Sequence, residues 1–474
     1  MIFKITQTSL SLIFSLSLGI AFLNLFFRKL PLSFFEKLSL SFGLGWGLIS
    51  LLQFVLLYFG FQITVLNMTA VIFLLILVSI GFRKVSKIRG ISDGDASDFV
   101  LSMTKQESHI SSLSRLEKFC LIGIFIGCFY ALLKTFIFPI IDDDGLCNFA
   151  WKAKVIYYSN LFHEPLTVLV PRMRNTSGGD YPPLIPLSEH FITLFLNEWN
   201  DLYPKIIFPL FYFSFLVSFF YAAKRFTNRY FAIVFTFLLN GLRFMSDQAT
   251  WGVADLAFTS YYCISFFLIL SWMRTANSSF FYLSAFFGAF AVWTKNEGIP
   301  SLAILFSIVV LFFFFSHRRK MDVLKEIGFY MTLETALIIP VLYWKKLTAV
   351  TYPLLDQGVF SFSRILKNIE WLPMILDKLQ QQLFGTPNRW NLLGYLFVLA
   401  IGLNVKQIFK PLYLYLILAI ILNYSLYIVV YLLNPFNDLV HYMAYSQNRM
   451  LMHFLPLMLF YSALALYKPQ TQFA

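Results

Sequence analysis

Of 474 residues, 58% are hydrophobic and only 13% are charged, and 57 are phenylalanine. Soluble domains carry about 25% charged residues, and phenylalanine gains free energy by leaving water, so this composition excludes a soluble globular protein and requires a lipid-facing surface. The formal net charge of +13 does not point to nucleic acid, because no nucleic-acid-binding motif accompanies it; Lys and Arg accumulate in the cytoplasmic loops of membrane proteins.

A bilayer core takes about 20 apolar residues per helix. The sequence therefore predicts an all-α polytopic membrane protein of about thirteen transmembrane helices. They are expected near 8–28, 38–59, 63–82, 118–141, 205–223, 230–246, 252–273, 280–294, 299–316, 327–344, 393–405, 411–433 and 450–467. The first run is long and lacks a small-residue cleavage site, which predicts an uncleaved span rather than a signal peptide. Basic clusters at Arg28 and Lys29, Arg83 to Lys118, Lys224 to Arg229, Arg274, Arg318 to Lys320, and Lys406 and Lys410 all fall on one side under this count. By the positive-inside rule that side is the cytoplasm. Segments 142–204, 345–392 and 434–449 then face outward. The Ser- and Asp-rich stretch 83–117 reads as a flexible cytoplasmic linker. It divides an N-terminal three-span unit (1–82) from the remainder (118–467). The four cysteines, Cys120, Cys128, Cys147 and Cys263, show no metal-ligand spacing. Three lie in apolar runs, and buried free thiols are their expected state.

The residues that could carry chemistry concentrate in the outward segments. Asp142, Asp143 and Asp144 open the first of them. Their mutual repulsion is expected to raise at least one pKa. Leu146, Phe149, Ala150, Ala153, Ile156, Tyr157 and Leu161 follow helical spacing. This predicts an amphipathic helix on the bilayer surface that holds the aspartates at headgroup depth. An acidic cluster so placed suits a substrate that is half lipid and half polar; a solvated helix end is the plainer alternative. Lys152 and Lys154 on that helix either snorkel to the interface or contact a phosphate. Gly178-Gly179-Asp180-Tyr181-Pro182-Pro183 presents Asp180 and Tyr181 from a turn stiffened by proline, or is simply a turn before the helix containing Glu189 and His190. Asp255 lies near the outer end of a span, and Lys295 and Glu297 lie in the outward connection Trp293 to Gly298. Ionisable residues at membrane depth usually line a polar cavity, although each could be a structural ion pair. Arg449 begins the last span and either snorkels or clamps a phosphate through its fork of donors. His441 has no His or Cys at metal-ligand spacing and reads as an ordinary hydrogen-bonding histidine.

Five of these pieces in order resemble motifs of the GT-C superfamily of membrane glycosyltransferases, in particular bacterial relatives of dolichyl-phosphate-mannose–protein mannosyltransferases. The pieces are Asp144 leading to Phe149-Ala150-Trp151-Lys152-Ala153-Lys154; Asp180-Tyr181-Pro182; Ala254-Asp255-Leu256; Thr294-Lys295-Asn296-Glu297-Gly298; and Ser446 to Arg449 followed by Pro456. The resemblance covers roughly 118–467 and implies a GT-C-like bundle with large extracytoplasmic loops bearing amphipathic helices. It implies transfer of a sugar from a polyprenyl-phosphate donor to an acceptor at the outer face of a bacterial inner membrane, by inverting displacement. It implies an Asp general base: Asp144 by its place in the motif, with Asp143 and Asp180 as the other candidates, because the triple aspartate departs from the family pattern. Substrate contacts are implied for Lys154, Tyr181, Asp255, Lys295, Glu297, His441 and Arg449. The partners are the polyprenyl-phosphate-linked sugar, membrane lipid and a protein, lipid or glycan acceptor. No cofactor is implied, and a divalent metal is not indicated. The competing class is a transporter or flippase, which also uses intramembrane charges. Such proteins usually show paired halves with interrupted helices, and no such internal symmetry is evident here.

Overall fold

The computed structural model describes residues 2–88, 113–140, 142–162, 164, 168–170, 180–348, 362–434 and 438–468, with the backbone alone for 82–88. Every regular element among the described residues is helical. Backbone polar groups in lipid must be satisfied within the segment, which leaves the helix as the natural state of long apolar runs. Several starts are set by capping side chains: Ser33 accepts from the Glu36 amide, Ser114 and Glu117 form a reciprocal capping box, and Asn228 accepts from the Phe231 amide.

Eight helices among the described residues are long and apolar enough to cross a membrane: Ile2–Phe26, Phe34–Tyr58, Arg115–Ile137, Pro204–Phe226, Asp255–Thr275, Gly298–Phe315, Lys320–Thr348 and Pro411–Leu432. The chain is an integral, multi-pass membrane protein. The remaining expected spans are helical but shorter or broken. The run 230–246 stops at Asn240 because Gly241 caps the helix and Leu242 is extended, and the chain restarts as Arg243–Trp251. The 12 residues of Arg229–Asn240 cover only about 18 Å at 1.5 Å per residue. Val65–Gly81, Ser278–Thr294 and Leu393–Leu403 are likewise short. The last run is bent by 40° between Leu439–Met452 and Leu455–Leu466. Pro456 in the first turn of the second piece has no amide to continue the first.

Ion pairs collect at two ends of an apolar body. One end holds Glu36–Arg225 (2.5 Å), Glu117–Arg229 (2.9 Å) and Arg318–Glu326 (2.9 Å). The other holds Lys134–Asp247 (2.8 Å), Asp255–Lys295 (2.7 Å) and Asp180–Lys345 (2.9 Å). Glu117 and Lys134 mark opposite ends of Arg115–Ile137, so the two sets lie a span apart. The middle is close-packed aromatic and small-residue contact. Trp272 stacks on Phe281 at 4.0 Å, and Phe281 stacks on Tyr330 at 4.2 Å. A Cβ at Gly19 would sit 1.9 Å from the Ser41 carbonyl, and one at Gly45 2.1 Å from that of Ser15. Small residues thus let the first two helices meet backbone to backbone.

The N-terminal helices pack into this body rather than standing apart. Tyr261 donates to the Gly43 carbonyl (2.8 Å), Trp293 to the Ser50 hydroxyl (3.0 Å) and Gln53 to the Leu187 carbonyl (2.8 Å). Most of the expected linker, residues 89–112, and the glycines Gly178 and Gly179 lie outside the described residues. Of the three cysteines in apolar runs, Cys120 and Cys263 are buried and Cys128 is half-buried, whereas Cys147 is exposed. It lies on a turn beyond the membrane-spanning helix, not in an apolar interior.

Candidate functional site

The site begins where Arg115–Ile137 ends. Buried Lys205 donates to the carbonyls of Phe138 (2.6 Å) and Pro139 (3.1 Å), fixing the exit of the chain. The Asp142 carboxylate then accepts the amides of Asp144 (3.0 Å) and Gly145 (3.2 Å). A π-helical turn, Gly145–Ala150, follows and runs on into Trp151–Leu161. Turns of this kind are frequent at functional sites. Gly145 is required here: a Cβ would lie 2.7 Å from the Trp251 carbonyl. The close approach carries Asp144 to the N-terminal start of Asp255–Thr275.

The expected surface amphipathic helix is corrected by this arrangement. Leu146 and Leu161 are exposed, whereas Lys152, Ser159 and Asn160 are buried. The segment packs against Leu184–Leu196 instead of floating on the bilayer. It is also Asp142, not Asp144, that receives the free amides. Burial raises the pKa of Asp142, opposed by the Gly145 amide and Arg449, with the charges of Asp144 and Asp255 adding smaller increases. The mutual repulsion expected of the triple aspartate is therefore the lesser cause.

From Asp144 a chain of charges runs inward. One carboxylate oxygen accepts from the Asn148 amide (2.8 Å), and the other is paired with the Arg449 guanidinium. Arg449 also lies 3.9 Å from Asp255 Oδ2. Asp255, only 1% exposed, accepts from Lys295 Nζ (2.7 Å) and meets His453 Nε2 (3.2 Å), whose Nδ1 faces the Tyr427 hydroxyl at 2.6 Å. Lys295 pairs in addition with Glu297 at 3.1 Å. Burial works against the Lys295 charge, but Asp255 and Glu297 outweigh it, and its pKa is raised. A second node lies alongside. Asp180 accepts from Lys345 (2.9 Å) and Asn296 (2.7 Å). Tyr181 joins the two: its ring lies under Lys295 Nζ (5.7 Å to the centroid), and its carbonyl accepts from Trp344 (3.1 Å) and Lys152 (3.3 Å).

The structure thus brings Asp144, Asp180, Tyr181, Asp255, Lys295, Glu297 and Arg449 together. It does not bring in the other three candidates. Asp143 is exposed. Lys154 is half-buried, without an ion pair among the described residues. His441 is exposed at the start of Leu439–Met452, its ring against Tyr445 at 4.8 Å. Asp255 is buried against both Lys295 and Arg449. Sequence reasoning missed Lys345, Asn148, Tyr427 and His453. Only His453 carried a signal, as an ionisable residue inside an expected span. Among the described residues no group of three or more His, Cys, Asp or Glu side chains is disposed to hold a metal ion. Beside Asp142 and Arg449 a cavity of about 460 Å³ opens between Arg243–Trp251, Pro387–Trp390 and Leu439–Met452. Its wall includes Asp142, Arg243, Trp251, Arg389, Asn448 and Arg449.

Lys152 gives a pH test of this packing. It is fully buried, not snorkelling, and burial pushes its pKa down to about 7, with Asp180 opposing. Between about 7 and its ordinary value of 10.5, the unfolded chain holds more protons than the folded one, so stability rises with pH across that window. The wild type is expected to gain thermal stability from pH 7 to pH 10 relative to Lys152→Met, measured as melting temperature in detergent. Parallel curves for the two proteins would place Lys152 in water.

Comparison with protein-family models, with curated proteins and with solved structures finds no match to this chain.

Proposed function

We propose that the protein is a membrane glycosyltransferase of GT-C type, moving a sugar from a polyprenyl-phosphate donor to an acceptor at the extracytoplasmic face of a bacterial inner membrane. The observation that carries the proposal is the contact of Asp144 with Arg449, backed by buried Asp255 and Lys295. A carboxylate touches a cation that lines a cavity and that a lipid phosphate would claim. Arg449 and Lys295 take the donor phosphate, whose negative charge grows as it leaves. When Arg449 turns to the phosphate, the Asp144 oxygen it held is released. Asp144 then removes the proton of the acceptor hydroxyl. The acceptor oxygen bonds to the anomeric carbon as the carbon–phosphate-oxygen bond breaks, and the configuration inverts. The chemistry uses no cofactor. Asp180 and Lys345 hold Tyr181 in place beneath Lys295.

On this reading the shorter and broken helices, each below the length of a full span, join the eight long ones in a bundle of about thirteen membrane-embedded segments, and the end bearing Arg225, Arg229 and Arg318 faces the cytoplasm. Phe162, exposed just after Trp151–Leu161, is then extracytoplasmic. Phe162→Cys in a cysteine-free background is expected to react with an impermeant maleimide in intact cells; reaction only after lysis would reverse the topology. The activity itself is tested with purified protein, radiolabelled polyprenyl-phosphate sugars and membrane extract. Label is expected to pass from lipid to extract. Label that crosses a liposome bilayer on its unaltered lipid, with no transfer, would make the protein a flippase.

A further inference from the structure

The cavity beside Asp142 and Arg449 has a charge pattern that the donor does not use. It touches Arg449 and Asp142 but not Lys295. Arg449, which forms part of its wall, is paired with Asp144, so a ligand in the cavity lies one side chain from the proposed base. At about 460 Å³ it falls in the roughly 300–1,000 Å³ range of small-molecule sites. Three guanidiniums, those of Arg243, Arg389 and Arg449, face two carboxylates, those of Asp142 and Asp247, on its wall. Asp247 is shared between Lys134, at 2.8 Å on one oxygen, and Arg243, at 3.7 Å on the other, so it only partly balances Arg243. Arg389 has no acidic partner among the described residues. A separate observation points to a hydroxyl-bearing ligand: Asn448 on the same wall is only 3% exposed, yet its side-chain oxygen has no hydrogen-bond partner among the described residues. Trp251 and Tyr445 add aromatic surface on which a sugar ring can lie.

We infer that this cavity is the acceptor subsite and that the acceptor is an anionic saccharide, bearing a phosphate or carboxylate that Arg243 and Arg389 hold while Asn448 accepts from a sugar hydroxyl. The inference rests on the glycosyltransferase reading and deepens it. A bidentate guanidinium contact suits either anion, so the chemistry shared by a sugar phosphate and a uronic acid defines the ligand.

The test is direct binding, independent of turnover. Purified full-length protein is titrated with glucose 1-phosphate, glucuronate, methyl glucoside and inorganic phosphate, with binding followed by calorimetry. Binding is expected for the phosphate sugar, the uronate or both, and whichever binds names the anion. Methyl glucoside, lacking charge, is expected to bind at least tenfold more weakly. Arg243→Gln/Arg389→Gln is expected to weaken anionic-sugar binding tenfold or more, with the binding of polyprenyl phosphate unchanged. Arg243→Lys/Arg389→Lys, which keeps both charges, recovers part of the loss and shows that the fold survives. Equal binding of methyl glucoside and glucose 1-phosphate, or wild-type binding by the Gln pair, overturns the anionic assignment. Inorganic phosphate binding as tightly as glucose 1-phosphate overturns the saccharide part. Sugar transfer from lipid that persists in the Gln pair with an unchanged acceptor KM overturns the subsite while leaving the glycosyltransferase reading intact.

Discussion

Asp144→Asn is expected to lower sugar transfer by roughly 10²–10⁴-fold, the usual cost of losing a general base. The substitution is nearly isosteric and keeps a side-chain oxygen for the Asn148 amide, which donates to Asp144 at 2.8 Å, so the turn Gly145–Ala150 should survive. What is lost is proton affinity. The other aspartates separate by geometry. Asp143 is exposed, and Asp143→Asn is expected to leave the rate close to wild type. Asp180 holds Lys345 and Asn296, so Asp180→Asn is expected to disturb Tyr181 and to change donor KM more than kcat. Initial rates with saturating donor, on protein whose melting temperature is checked first, decide among them. A wild-type rate in Asp144→Asn together with loss in Asp180→Asn would move the base to Asp180. Wild-type rates in all three would remove the enzyme.

The membrane class and most of the charged cluster were legible because a carboxylate or ammonium group stands out sharply against apolar neighbours. Asp255, Lys295 and Arg449 each sit at the edge of an apolar run, where a charge is costly unless it is used. The partnerships themselves were not legible. His453 meets Asp255 from 198 positions away, and Lys345 meets Asp180 from 165, and no spacing rule reaches across a bundle. The helix after Asp144 was misjudged for a different reason. Its π-helical turn carries one more residue than an α-turn, so the apolar stripe drifts out of phase. Lys152 rotates into the protein and Leu146 out of it. Periodicity is also a poorer guide here than in water, since lipid and protein interior are both apolar and the stripe need not face the core. The break in 230–246 rests on Gly241 and Leu242 alone, too weak a signal to separate Arg243 and Trp251 from the span before them.

Arg449→Ala has the second large effect, and its coupling to Asp144 tests the proposed order of events. The guanidinium is shared by Asp144 and Asp255, and the donor phosphate must draw it from the first of these. A charge-assisted contact of this kind contributes roughly 1.5–3 kcal/mol. Arg449→Ala should therefore reduce kcat/KM for the lipid donor about 10- to 150-fold. Arg449→Lys keeps the charge but not the fork that spans two acceptors, and an intermediate value is expected. Some destabilisation accompanies Arg449→Ala, because Asp255 Oδ2 has no hydrogen-bond partner among the described residues and loses the guanidinium 3.9 Å away. The melting temperature separates that effect from the kinetic one. Wild-type donor kinetics in both Arg449→Ala and Lys295→Ala would sink the phosphate assignment. The sharper result comes from Asp144→Asn. If phosphate binding has to break the Asp144–Arg449 pair, neutralising Asp144 frees Arg449 in advance, and polyprenyl phosphate should bind more tightly to the inactive variant than to the wild type. The gain should vanish in the double variant Asp144→Asn/Arg449→Ala, as required when two residues act through one contact. Unchanged lipid affinity in Asp144→Asn would mean that the pair stays closed when the donor binds, and that the base is released by another route.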